Sequence, residues 1–307
     1  MRRLLHQDPA QVDFERRGFR LGPARSTLEA AGLAFLTGFN AANEARDVND
    51  VSARIGTLPP DRWGFAYEGA GMAFAVHDVL TLSRGARLAA LLDGPGRDYP
   101  HLIHVGAGWA FARMRLRPWA MPNALDPLLR WLSWDGYGFH QAFFATERAL
   151  VGQRVEAGVT GVRLAVRDQG MGRALWFAEC ATADPIAARI ACFPPERRGD
   201  LWSGVGLAAT YAGGAGTDEL VRLARQAGDY RAELAQGAAF ACAARLRSGI
   251  VPVHTQVAVT VLAEVDHERA SAWTDEAMRH VTPTAEGYQL WRAGIRRLWG
   301  SRRSVQS

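Results

Sequence analysis

Residues 53–73, ARIGTLPPDRWGFAYEGAGMA, return further down the chain as residues 188–208, ARIACFPPERRGDLWSGVGLA, with ten of twenty-one positions identical at an offset of 135. Both copies carry a proline pair, Pro59–Pro60 and Pro194–Pro195. A helix start tolerates proline, because the missing N–H has no intrahelical partner there and the fixed φ is already helical. Both copies then hold several small residues: Gly69, Gly71 and Ala73 in the first, Gly204, Gly206 and Ala208 in the second. A glycine inside a helix costs about 1 kcal/mol relative to alanine, so keeping GxGxA twice requires a return in tight helix crossing or in close approach to a ligand. The stretch predicts helices over about 60–82 and 195–212.

Helical punctuation extends over most of the chain. Ser26 followed by Glu29 reads as a capping box, and Leu28, Ala31, Phe35, Leu36 and Phe39 follow at the spacing of a buried helix face. Further helices are predicted near 86–93, 98–115, 126–147, 171–192 in two pieces, 217–227 with Thr217 as its cap, 230–248, 254–281 and 286–299. Only residues 153–169, QRVEAGVTGVRLAVRDQ, hold enough β-branched residues and glycines to suggest a short strand pair or a linker. The fold class is all-α.

The repeat continues beyond its first motif: YPHLIHVGAGWAFARMRL at 99–116 aligns with YRAELAQGAAFACAARLR at 230–247. These matches predict two tandem pseudo-symmetric multi-helix halves from an internal duplication. The expected division is an N-terminal segment 1–24, a first half 25–150, a junction 151–170, a second half 171–285, and a C-terminal helix with a basic tail 286–307.

The 307 residues are 48% hydrophobic and 22% charged, the composition of an ordinary soluble globular protein. The N-terminal apolar run stops after two leucines, and no stretch approaches about 18 apolar residues; a cytoplasmic protein without a transmembrane span is expected. Cys180, Cys192 and Cys242 form no CxxC pair and read as small buried hydrophobes. All 36 basic residues are arginine. The absence of lysine sets aside Schiff-base and pyridoxal-phosphate enzymes, P-loop NTPases and protein kinases. The formal charge of +5 is spread along the chain except in the tail, and without a recognisable module no nucleic-acid partner is expected. With no GxSxG, HExxH, Walker or dinucleotide fingerprint, no cofactor is expected. The single EVDH at 264–267 and the pair His101 and His104 are too little for a metal site.

Where the copies differ, chemistry is a candidate. Glu68 corresponds to Ser203 and His104 to Ala235, so the first half carries an acid and an imidazole that the second lacks. The segment LRWLSWDGYGFHQAFF at 129–144 is the densest candidate, with Asp135, Tyr137 and His140 among aromatic residues. Asp135, Glu68 and His140 are the expected proton-handling groups, with Tyr137 and His104 orienting them. Trp109, Trp131, Trp134 and Phe139 are the expected aromatic wall for a flat or cationic substrate. For each the bland alternative stays open: a satisfied core histidine, an ion-paired glutamate, an aromatic core at a kink. Arg173 and Asp168 are expected to pair across a turn.

The ordered motifs FAYEGAGMAFA, HVGAGWAFAR, WDGYGFHQAFF, DQGMGRALWF, PPERRGDLWSGVGLAATYAGG and AQGAAFA resemble the enediyne biosynthesis proteins of the UnbL type, a family without a catalytic assignment, over nearly the whole chain. The resemblance implies a bacterial secondary-metabolism setting with an iterative polyketide synthase that makes a linear polyene. Two readings follow: a cofactor-independent isomerase or cyclase acting on a hydrophobic polyene, or a non-catalytic helical adaptor for a protein partner or membrane complex of the same biosynthesis. A closed apolar cavity with converging acids would mark the enzyme, and an exposed apolar patch with solvated acids the adaptor.

Overall fold

The computed structural model describes residues 6–118 and 125–302; the first five residues and the last five of the basic tail lie outside them. In chain order the helices of the first part are α1 (Phe14–Arg17), α2 (Arg25–Glu44), α3 (Val48–Ile55), α4 (Trp63–Leu80), α5 (Ala86–Asp93), α6 (Pro100–Arg113) and α7 (Leu132–Phe144). There follow α8 (Gly161–Ala178), α9 (Ala183–Ala191), α10 (Pro195–Ala212), α11 (Thr217–Gln226), α12 (Arg231–Arg247), α13 (Val253–Leu262), α14 (His267–Met278) and α15 (Ala285–Ser301). No strand occurs among the described residues, so the protein is all-α.

Seven of these helices, α2, α4, α6, α7, α8, α10 and α12, pack side by side in that order as a ladder, and one rule governs every rung. In α4, α6, α7, α8 and α10 an X-Gly-x-Gly motif sets its first glycine against the preceding helix and its second against the following one. Gly170 of α8 lies on the carbonyl of Asp135 in α7, while Gly138 of α7 lies on the carbonyl of Arg167 in α8, and all six interfaces show the same reciprocal contact. A Cβ at almost any of these positions would overlap the facing carbonyl oxygen. The end helices α2 and α12 keep one glycine each, Gly38 and Gly237, on the side where a ladder neighbour stands. Such Cα–H···O contacts are worth about 0.5–1 kcal/mol apiece, which roughly offsets the helical cost of each glycine. The surplus comes from dispersion between backbones in close contact.

The first glycines of the motif, Gly69, Gly106, Gly136, Gly170, Gly204 and Gly237, recur every 30 to 37 residues. The unit visible in the contacts is therefore one ladder helix, and the offset of 135 that matches Glu68 to Ser203 is four such steps, from α4 to α10. The ladder does not part at residues 151–170, because α7 and α8 on either side of that junction pack as closely as any pair. One buried apolar cluster runs from Val12 to Ile295.

The ladder curls back on itself. Arg20 N–H donates to Ala178 O at the end of α8 at 2.9 Å, and Gly214, just past α10, lies against Ala24 and Leu28 of the α2 start. Gly64 of α4 meets the Tyr211 hydroxyl of α10, and the Arg245 guanidinium of α12 donates to Asp61 O at 2.9 Å. The residue before each first glycine and the one four later share a helix face, and the curl turns those faces toward one another.

Local expectations fail where tertiary contacts compete. Residues 153–169 form no strand pair; α8 starts at Gly161 because its neighbours bury this β-branched segment as a ladder helix. Ser26 does not cap α2; Glu29 instead accepts the Phe14 N–H at 2.9 Å and the Arg25 Nε at 2.8 Å. Gly216, not Thr217, is the N-cap of α11. The predicted helix 254–281 breaks in two where Glu264 takes a φ of 61° and Asp266 caps α14 by accepting the Arg269 N–H. Cys192 is exposed, whereas Cys180 and Cys242 are buried as expected.

Candidate functional site

The inward positions of the ladder hold polar residues in the middle of an apolar molecule. Glu68 of α4, Asp135 of α7 and Gln169 of α8 each precede a first glycine, and Arg173 lies four residues after Gln169, one turn on. Arg173 Nη1 donates to Asp135 Oδ1 at 2.5 Å and its Nη2 donates to Glu68 Oε1 at 3.4 Å. The other Asp135 oxygen accepts from Gln169 Nε2 at 2.8 Å, and the Ser203 hydroxyl donates to Gln169 Oε1 at 3.2 Å. The Trp109 indole N–H donates to Glu68 Oε1 at 3.0 Å, and the Arg173 guanidinium lies 5.0 Å from the centre of the Phe139 ring.

The relative exposures are 2% for Glu68, 0% for Asp135 and 6% for Arg173, so the triad is cut off from bulk water. Burial raises the Glu68 pKa, the Arg173 charge opposes that rise and the Asp135 charge adds to it. Burial alone would lower the Arg173 pKa, but the Asp135 and Glu68 carboxylates hold it above its ordinary value. Arg173 pairs with Asp135 at the shorter distance, and Glu68 is its longer contact. Both contacts to Glu68 fall on Oε1, which leaves Oε2 without a partner from either group. Buried charges of this kind cost several kcal/mol each in desolvation, and an apolar set is often as stable, so stability alone does not account for them.

Arg173 stands between two small cavities. One is lined by aromatic rings, including Phe35, Phe65, Trp109, Phe139 and Phe177, together with Glu68. The other is lined by Leu102, Val105, Leu207, Phe240 and Trp291 together with Asp135, His101 and Tyr211. Each has a volume of about 40 Å³, room for two or three waters. In the second cavity the His101 Nδ1 and the Tyr211 hydroxyl are buried without a hydrogen-bond partner.

The structure thus brings together four of the sequence-predicted site residues, Glu68, Asp135, Trp109 and Phe139, and adds Arg173 and Gln169. The other five lie elsewhere. His104 uses both ring nitrogens, Nδ1 with Pro100 O at 2.6 Å and Nε2 accepting the Asp126 N–H at 3.0 Å. It stays neutral, with burial pushing its pKa down to about 4, and it ties the 125–131 segment to α6. Tyr137 and His140 line a separate recess with Gln141 and Arg167. Trp134 is buried in edge contact with Tyr137 at 5.6 Å, and Trp131 is half-buried with its indole N–H unpartnered; neither lines either small cavity.

Sequence reasoning paired Arg173 with Asp168. Instead, Asp168 is held by Arg197 through two hydrogen bonds of 2.6 and 2.7 Å and by Arg167 at 3.2 Å. The signal that would have assigned Arg173 is its place four residues after the X of an X-Gly-x-Gly motif. Glu264, in the EVDH segment, pairs with Arg231 and Arg302, and no group of three potential metal ligands occurs among the described residues. No helix among the described residues is long and apolar enough to cross a membrane.

No curated protein and no solved structure shows a significant match to the chain. A family model does match, over residues 1–299, and its description gives no activity. The whole ladder, the triad and both cavities fall within the matched span, and the chain belongs to that family, described as a protein of unknown function, DUF1702.

Proposed function

We propose that the protein is a cofactor-independent enzyme of secondary metabolism that isomerises or cyclises an elongated apolar polyene, with Glu68 as proton donor. The observation that carries this reading is a buried carboxyl group with a raised pKa facing an aromatic cavity and held by Trp109 and Arg173. Protonation of a conjugated double bond by Glu68 moves the π electron pair to the new C–H bond and leaves a delocalised carbocation. The faces of Trp109, Phe139 and Phe35 suit that cation. Loss of a proton from a neighbouring carbon, to the Glu68 carboxylate or to Asp135, restores the double bond at a new place. No atom is gained or lost, so the step needs no co-reactant.

An apolar cavity that takes a benzene-sized ring has about 150 Å³, so a chain substrate needs the two cavities opened into one. The side chain that lines both is Arg173. The enediyne setting enters only through the resemblance of the motifs. The competing adaptor reading expects solvated acids, and burial of Glu68 and Asp135 weighs against it.

The test is complementation of a gene-deletion strain with wild type, Glu68→Gln or Asp135→Asn at matched soluble protein levels, followed by metabolite profiling. Loss of the product with accumulation of an isomeric or uncyclised polyene is expected for both variants. Full restoration of the product by Glu68→Gln would rule out proton donation by Glu68.

A further inference from the structure

We propose that a recess on the far side of Trp109 from Glu68 binds the anionic end, carboxylate or phosphate, of an amphipathic ligand whose apolar chain passes Phe144 into the aromatic cavity. The inference deepens the function proposed above and rests on it for the chain; the anion recess stands on its own observations. Arginines that are scattered in the sequence converge here: Arg115, Arg117, Arg148, Arg154 and Arg167 line a recess of about 510 Å³, a size typical of small-molecule sites.

The single acid in the lining does not balance that charge. Glu156 accepts from Gln141 Nε2 at 2.6 Å and lies 3.6 Å from Arg167 Nε. At the floor, buried Arg167 is fixed by Gln141 Oε1 at 2.9 Å and Arg154 O at 2.7 Å. The Asp168 carboxylate it touches is shared with Arg197, and Glu156 is the second acid beside Arg167, so the unbalanced positive charge of the recess is that of the rim arginines. At the rim the side chains of Arg115, Arg148 and Arg154 are exposed and have no carboxylate partner among the described residues. Planar guanidinium groups match carboxylate and phosphate oxygens in pairs.

Two further observations point to a ligand with a tail. The His140 Nε2 is buried without a hydrogen-bond partner at this recess, and burial with the nearby Arg113 and Arg17 charges keeps the ring neutral, its pKa pushed down to about 3. It can therefore donate to or accept from an oxygen without adding charge. Phe144 lines both this recess and the aromatic cavity. Between them, Trp109 makes an edge contact with His140 at 5.7 Å on one side and bonds Glu68 on the other. A head held by the arginines thus places its chain toward Glu68. This gives Tyr137 and His140, two residues that the sequence singled out, a binding role apart from the triad.

The experiment is calorimetric titration of the full chain with dodecanoate, dodecyl phosphate, 1-dodecanol and inorganic phosphate, below aggregation thresholds and at two salt concentrations. Three proteins are compared: wild type, Arg148→Ala with Arg154→Ala, and Phe144→Trp, which fills the joint. Both exposed arginines can be removed without disturbing the fold, checked by circular dichroism. The anionic amphiphiles are expected to bind about tenfold or more tightly than dodecanol, and the double variant to lose that advantage while its dodecanol affinity stays unchanged. Phe144→Trp is expected to remove the gain that the chain provides over inorganic phosphate. The better of the two anionic heads identifies the natural one. Equal binding of dodecanol and the anions, unchanged binding by the folded double variant, or no binding at all overturns the proposal. Binding of inorganic phosphate with no gain from a dodecyl chain overturns the amphipathic ligand and the polyene reading with it. Intact amphiphile binding alongside full complementation by Glu68→Gln leaves this inference standing and removes only the proton chemistry.

Discussion

Alanine at Gly170 and at Gly300 should change stability in opposite directions, although both glycines lie in helices. Helical propensity alone predicts a gain of about 1 kcal/mol for either substitution. At Gly300 a new Cβ meets nothing within 4 Å, so Gly300→Ala should keep most of that gain. At Gly170 the Cβ would meet the Asp135 carbonyl carbon at 2.6 Å and the Phe139 nitrogen at 2.9 Å, with the carbonyl oxygen nearer still. Ordinary carbon contacts are near 3.5 Å, so α7 must retreat by about 1 Å. The obstacle is backbone and cannot rotate away, which places the cost at the upper end of overpacking, about 3 kcal/mol or more. The net expectation for Gly170→Ala is a loss of about 2 kcal/mol or more. Urea unfolding followed by circular dichroism measures both variants, with an unchanged m-value as the sign that only stability moved. A Gly170→Ala protein as stable as wild type would refute the claim that carbonyl contact sets the ladder spacing.

Arg173→Met alone strands two buried carboxyl groups and should cost about 3–5 kcal/mol, whereas Glu68→Met, Asp135→Leu and Arg173→Met together should restore most of that loss while abolishing complementation; equal stability of single and triple variants in the same urea assay would contradict the buried-triad account. Stability should also depend on pH through Glu68. Its folded pKa is raised above the ordinary 4.5, so its contribution is complete below that value and is lost as pH rises through the folded pKa. The stability of wild type relative to Glu68→Gln should therefore fall with rising pH above about 4.5, by up to about 1.4 kcal/mol per unit, and a difference that is flat or rising from pH 4 to 8 would show that Glu68 is not protonated in the fold.

Much of the candidate site was legible one residue at a time. Glu68 stood out because Ser203 replaces it at a matching motif position, and Asp135 because it stands among aromatic residues in the densest candidate segment, 129–144. The aromatic ring of the cavity was half legible: Trp109 and Phe139 line it, whereas Trp131 and Trp134, equally prominent in the sequence, do not. Aromatic content marks burial but not the direction of a side chain. His104 was picked for its contrast with Ala235, and the backbone carbonyl and N–H that occupy its ring belong to Pro100 and Asp126. Nothing in the sequence pairs those groups.

The sequence by itself determined that this protein is all-α, where the two GxG helices begin and end, and which positions recur. Those properties depend on neighbours within four residues, through helical period, proline placement and glycine spacing. The tertiary structure decided what each glycine faces, that the contacts repeat from one ladder helix to the next, and that Arg173 joins Glu68 across 105 residues of sequence. It also gathered five dispersed arginines into one recess. Those outcomes follow from the closure of the ladder on itself, because the partner of an inward side chain is set by the curl of seven packed helices and not by any spacing along one of them.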